Sequence, residues 1–292
     1  MGRVRRGPLL MVAAGLAFTA MVACVKTVRA ELDALEIVAW RGVVAIPLAL
    51  AMLRGGSPWP VNRRATVLRV GAGFLAMTCF YTAAHGLTVA DLSLLGRIQP
   101  VLIALAAPLV LRERVAPQVW LLLAAGLMGA TVLLGPQLAI GNVHGLWAMG
   151  AVAASTVAHL SLRVLGRTDR TATVVLWFQL GGTLLALLAV AVTTGGLPRL
   201  PSAELLPWLA GVAITGTAGQ LLMTRAYALD RAAIVSAASH TSPLWAVLAD
   251  ELLFGVLPAV PTLAGGAILV GAALALVVLP SERSPDGERS HR

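Results

Sequence analysis

The residues of this chain able to do chemistry are few, and they stand inside greasy runs. Arg41 sits in EIVAWRGVV, and Arg97 sits in SLLGRIQPVLIALAAPLV with Gln99 and Pro100 beside it. A guanidinium does not shed its charge, so in an apolar setting it must snorkel, bind carbonyls, meet an acid or sit in water. Thr217, Gln220, Thr224 and Tyr227 follow one another at intervals that fall on one helical face. Met77, Tyr81 and His85 share a second face, Ser155 and His159 a third, Ser236 and His240 a fourth. Trp40, Trp177 and Gln179 add aromatic and amide groups. Such a set suits recognition of a polar molecule. Paired catalytic carboxylates, an H-E-x-x-H run and a nucleophile motif do not occur, which argues against an enzyme. Cys24 and Cys79 lack a C-x-x-C spacing and a neighbouring His cluster, so they read as inert buried thiols. No metal or other cofactor is expected.

The elements that position these side chains must be membrane helices. The chain is 58% hydrophobic and 12% charged, with a mean hydropathy of +0.86. A soluble domain is nearer half apolar and a quarter charged. Ten runs are long enough to cross the hydrocarbon of a bilayer, at about 8–28, 33–53, 66–86, 89–111, 117–136, 144–165, 172–194, 204–228, 232–254 and 259–280. Turn-formers fill the gaps, as in GGSPWPVNRR and TGGLPRLPS. The N-terminal stretch resembles a signal peptide, but its apolar core has the length of a spanning helix, so a retained first helix is expected. The net charge of +9 comes from short clusters between runs, which does not suit a nucleic-acid partner. With the N-terminus placed in the cytoplasm, nearly every arginine falls on the inner side. Only Lys26, Arg29 and Arg199 fall outside, and Arg41 and Arg97 stay within spans. Both termini are therefore expected in the cytoplasm.

The sequence also repeats itself. An offset of 143 residues lays TAAHGLTVADLSLLGRIQP on TRAYALDRAAIVSAASHTSP, so that Pro100 meets Pro243, Gln99 meets Ser242 and Arg97 meets His240. With five helices in each half, the halves must insert in opposite senses. This predicts an all-α membrane protein of ten transmembrane helices, built as two inverted five-helix repeats, 1–137 and 138–280, with a cytoplasmic tail at 281–292. Each proline removes one backbone hydrogen bond and frees the carbonyl four residues before it, at Gly96 and Ser239. A membrane helix tolerates that where protein or a cavity satisfies the carbonyl again. Pro100 and Pro243 are thus read as kinks that let the bundle flex.

These segments carry a family resemblance. AWRGVVAIPLAL, YTAAHGLTVADLSLLGRIQPVLIALAAPLVLRERV, RAYALDRAAIVSAASHTSPLWAVLADELLFG and GGAILVGAALAL resemble the EamA-type, ten-helix branch of the drug/metabolite transporter superfamily. The pattern of a Pro, about a dozen residues and a Gly-Glu-Arg-like turn is met by Pro100 and Leu111-Arg112-Glu113-Arg114. The second half departs from it at Val256, and Gln179 stands where the first half has Arg41. The resemblance implies an inner-membrane carrier exporting a metabolite, with YddG-like amino-acid exporters as the nearest kin in character.

A central water-filled cavity is expected, lined by Trp40, Arg41, Tyr81, His85, Gln99, His159, Trp177, Gln220 and His240, with helices 5 and 10 outside it. The bland alternative for each polar group is interhelical glue, and for Arg97 a structural ion pair. Because the middle of the spans holds no carboxylate to relay protons, facilitated export by alternating access is favoured over tight proton coupling. A cationic cavity with aromatic neighbours suits a neutral or aromatic amino acid. The rival is a non-transporting membrane sensor or assembly protein. The oligomeric state is not legible.

Overall fold

The computed structural model describes residues 5–83, 95–134, 143–245, 248 and 260–278, and among them regular structure is helical throughout. The helices are α1 (Arg6–Val28), α2 (Ala34–Ala51), α3 (Arg63–Ala83), α4 (Ile98–Val110), α5 (Pro117–Leu134), α6 (Val143–Leu165), α7 (Thr171–Thr194), α8 (Leu206–Leu229), α9 (Ala232–Ala238) and α10 (Val260–Val278). A 3₁₀ turn, Ala203–Leu205, leads into α8, and another, Ser239–Thr241, follows α9. Five segments are long and apolar enough to cross a membrane: Arg6–Val25, Ala34–Ala51, Val143–Leu165, Thr171–Thr194 and Ala203–Leu229. In α3 the arginines at 63, 64 and 69 dilute the apolar run. The expected tail at 281–292 and His85 lie outside the described residues.

The helices pack in long pairs. α1 lies along α8, α3 along α6, α2 along α7 and α5 along α10, while α4 meets both α6 and α9, and α9 also meets α1. Small residues set these approaches. A Cβ on Gly42 would come 2.3 Å from Thr183 Oγ1, so α2 and α7 could not close as they do with any larger residue there. On α5, Gly129 faces the Gly265 carbonyl and Ile268 of α10. Large apolar side chains such as Leu109, Leu121 and Val192 remain on the outer surface, where lipid tails are their natural solvent.

Both proline segments interrupt their helices. Helical backbone at 95–96 gives way to a turn at Arg97, and α4 restarts at Ile98 with Pro100 in its first turn. α9 stops at Ala238, the 3₁₀ turn intervenes, and helix resumes at Ser242 with Pro243 second. A proline in a first turn has no amide bond to lose.

The two ends of the bundle are tied differently. One end gathers Arg5, Arg54, Arg63, Arg163, Arg167 and Arg231 at helix termini. Here it is called the arginine-rich end. At the other, Arg199 in the α7–α8 connection bonds Glu36 (2.7 Å) and Asp33 (3.1 Å) of the α2 start, while Ser202 donates to Glu31. The Glu36 hydrogen bond pushes the Arg199 pKa up, so this cation stays charged. Glu36 also accepts the Asp33 N–H at 2.8 Å, capping α2.

Candidate functional site

The polar face of α8 is the spine of the site. Thr217, Thr224 and Tyr227 are buried there, and Gln220 is partly so. They span ten residues, or roughly 15 Å of helix at 1.5 Å per residue. Thr217 Oγ1 accepts from Gln179 Nε2 of α7 at 3.1 Å, and Gln179 Oε1 accepts from Arg41 Nη2 of α2 at 3.0 Å. The position that stands for Arg41 in the second half therefore touches Arg41 itself. One turn along α8, Gln220 Oε1 accepts from Arg69 Nη2 of α3 at 2.9 Å.

Arg69 is the residue that the sequence reading passed over, because it follows Arg63 and Arg64 and looks like one more head-group arginine. Its helix, however, starts at Arg63, with the Asn62 side chain accepting the Ala65 N–H at 3.1 Å. Arg69 is thus nearly two turns inside, and only 4% exposed. Its guanidinium stacks over Phe178 at 4.1 Å from the ring centroid. Gly73, one turn further on, leaves the room for it, since a Cβ there would lie 2.8 Å from Arg69 Nη1. Among the described residues no carboxylate pairs with Arg69, and its Nε–H has no acceptor.

Beside this cation the rings of His159 (α6) and Tyr227 (α8) stack, with centroids 5.4 Å apart and planes 15° from parallel. The Tyr227 hydroxyl is buried and has no partner. The Gln99 amide of α4 contacts His159 Nδ1. Gln99 also forms one wall of a cavity of about 250 Å³ between α3, α4 and α6, together with Met77, Phe80, Gly96 and Ser155.

The remaining candidate residues stand elsewhere. Arg97 Nη1 donates to the Ser239 carbonyl and to Ser242 Oγ, both at 2.8 Å. The Ser239 carbonyl also accepts the Ser242 N–H and hydroxyl, so the guanidinium of one proline segment binds the 3₁₀ turn of the other. His240 is buried with both ring nitrogens unpartnered and packs on Gly126 of α5, so α5 does touch one of the candidate residues. The two expected tryptophans lie at opposite ends of the bundle. Trp40 donates to the Arg199 carbonyl (2.7 Å), and Trp177 donates to the Pro58 carbonyl in the α2–α3 connection (2.7 Å) while packing on Trp59. The structure thus brings Arg41 and Gln220 together around α8, sets Gln99 and His159 next to Tyr227, and places Trp40, Trp177 and His240 away from that column. The Tyr81 side chain is not among the described ones.

At the arginine-rich end Arg5 pairs with Asp230, and Glu113 pairs with two arginines. Glu113, 8% exposed, accepts from Arg163 Nε at 2.5 Å and lies 3.5 Å from Arg167 Nη2. Its other oxygen accepts the Ala232 N–H that starts α9, at 2.9 Å. Arg163 also donates to the carbonyls of Tyr227 and Ala228, which end α8. Arg112, with φ of 56°, takes the left-handed turn that brings Glu113 back into the bundle.

A helical bundle with a buried cationic column and charge-paired ends has relatives of known class. Residues 5–135 match the EamA-like transporter family. That match covers most of the first half, and relatives similar over nearly the whole chain are named as transporters. The chain is 27% identical over 278 residues to the pseudopaline exporter CntI of Pseudomonas aeruginosa, covering 94% of this chain and 96% of that one. It is 24% identical over 285 residues to an uncharacterized transporter of Helicobacter pylori, covering 94% and 95%. It is 27% identical over 311 residues to a riboflavin transporter of Rhizobium johnstonii, covering 96% and 94%. A solved crystal structure shares its fold with a TM-score of 0.78 at 21% identity, over 95% of this chain and 99% of that one. Glu113 belongs to the turn that carries the resemblance, and its side chain ties that turn to α6, to Arg167 just past it and to the start of α9.

Proposed function

We propose that the chain exports a small carboxylate-bearing metabolite, first of all an amino acid with an apolar or aromatic side chain, by alternating access. The observation that carries this reading is the buried Arg69, held on the neutral amide of Gln220 over the Phe178 ring, with Arg41 one α8 turn away on Gln179. A charge kept inside a bundle on neutral acceptors, beside aromatic rings, is an arrangement for meeting an anion with an apolar body. The naming of one relative as an exporter supports the direction.

The halves 1–137 and 138–280 act in this reading as inverted repeats, and the packing supports it. Exchanging α1–α5 for α6–α10 turns the α1·α8 pair into α6·α3 and the α4·α6 pair into α9·α1, both of which occur. The kinks at Pro100 and Pro243 are the flexing points. The arginine-rich end faces the cytoplasm of a bacterial inner membrane. No carboxylate of the described column offers a proton relay, so transport runs downhill.

Counterflow in proteoliposomes tests the reading. Liposomes loaded with an amino acid should take up its labelled form, while the matching amides exchange poorly. A folded protein that exchanges none of the twenty amino acids overturns the substrate class. Cysteine labelling of intact cells tests the orientation. A cysteine at Leu197 should react from outside and one at Arg167 should not.

A further inference from the structure

We propose that the Arg69 Nε–H and the Tyr227 hydroxyl together form the seat for the anionic head of the ligand, a single carboxylate. The inference rests on the transporter reading above and assigns its anion to one place. Arg69 is nearly fully buried, and one of its donors has no acceptor. Tyr227 is fully buried, and its hydroxyl is likewise unpartnered. Buried polar atoms are normally satisfied, so two orphan donors at one level of a bundle need an explanation.

That they share a level follows from the helix registers. Arg69 is six residues from the start of α3 and His159 six residues from the end of α6, both at the arginine-rich end. Each therefore lies roughly 9 Å in. Tyr227 stands near the end of α8, but a helical side chain leans toward its own N-terminus, here inward. Its ring lies on that of His159 at 5.4 Å, which sets the phenol at the level of His159. Phe178 lies under the guanidinium, and the His159 ring lies against the phenol. Two donors with flat apolar neighbours match two carboxylate oxygens on an apolar body. The route in passes Gln99, which joins the cavity between α3, α4 and α6 to His159.

Benzoate and benzamide, alike in shape and different in charge, are the probes. The full chain in detergent is heated with each, and the shift in unfolding midpoint reports binding by mass action. Benzoate should raise the wild-type midpoint and benzamide should not. Tyr227→Phe keeps the ring on His159 and removes only the hydroxyl. It should weaken benzoate by about tenfold or more, the usual loss for one hydrogen bond to a charged group. Arg69→Lys keeps the charge and removes Nε–H, with a loss in the same direction. The midpoint without ligand shows whether each variant is folded. A folded Tyr227→Phe that responds to benzoate as the wild type does overturns the seat, whatever Arg69→Lys shows, and so does a wild type that ignores benzoate. Counterflow on the same preparations separates the two ideas. Loss of all amino-acid exchange with the benzoate pattern intact sinks the transport substrate and leaves the seat.

Discussion

Arg163, 16% exposed, and Arg69, 4% exposed, lie near the same end of the bundle, and they are held in opposite ways. Arg163 has Glu113 at 2.5 Å and two backbone carbonyls, a set that neutralises its charge and uses its donors. Arg69 has a glutamine oxygen and an aromatic face, which orient the guanidinium and leave its charge in place. A charge neutralised by a fixed acid serves the fold, because nothing is left over for a ligand. A charge oriented by neutral groups costs the fold something and keeps its attraction for an incoming anion. Arg199, tied to Glu36 and Asp33, is neutralised in the same way as Arg163.

The most damaging way to probe this contrast is to unpair the first arginine. Glu113→Ala strands Arg163 and Arg167 and also removes the acceptor for the N–H that starts α9. Removing one partner of a buried pair costs about 3 kcal/mol or more. Unfolding in detergent should show that loss, and Glu113→Gln, which can still accept from Ala232, should recover part of it. Arg69→Gln removes a charge that has no acid among the described residues, so its midpoint should stay near wild type while export of carboxylates collapses. Equal destabilisation by Glu113→Ala and Arg69→Gln would erase the distinction between structural and functional arginines here.

The degree to which this site can be read from sequence follows from the range of the interactions involved. The α8 stripe from Thr217 to Tyr227 is legible because helical spacing is local, and the depth of Arg41 and Arg97 is legible because it follows from span length. Arg69 was hidden by its neighbours: three arginines in seven residues look like one interfacial cluster until the helix start is fixed at Arg63. An Asn one residue before that start, in the capping position, was the available clue. The tryptophans could not be placed, since Trp40 and Trp177 are drawn to the ends by carbonyls of loops 159 and 119 residues away in sequence. The union of Arg97 with the Ser239 carbonyl was foreshadowed only by the repeat, which aligns Arg97 with His240, the next residue.

A smaller effect is expected at Arg41, which reaches α8 through Gln179 and Thr217. Arg41→Gln keeps a hydrogen-bonding group near Gln179 and removes the positive charge. Uptake of amino acids into inverted vesicles should fall about tenfold, the value of one charge-assisted hydrogen bond, with the unfolding midpoint little changed. Uncharged amino-acid amides should be affected less. If acids and amides lose equally, Arg41 belongs with Arg163 on the structural side of the comparison.

The smallest effect concerns the prolines, which let Arg97 sit where it does. Pro243 cannot donate to the Ser239 carbonyl, which accepts the Ser242 N–H, the Ser242 hydroxyl and Arg97 instead. Pro243→Ala supplies an N–H that competes for the same carbonyl and favours continuous helix across the 3₁₀ turn. The static structure loses little by this, because a new backbone bond replaces part of what Arg97 gives up. A bundle that must move between two states loses a flexing point. Folded yield should therefore stay near normal while counterflow slows roughly fivefold, about 1 kcal/mol on the barrier. Pro100→Ala should act in the same direction through Gly96, whose surroundings are open on the cavity side. Initial rates of counterflow, normalised to folded protein, measure both. Normal rates in both variants would mean that the interruptions at Arg97 and Ser239 are fixed features of the fold, and that Arg97 joins Arg163 as an arginine that only holds backbone together.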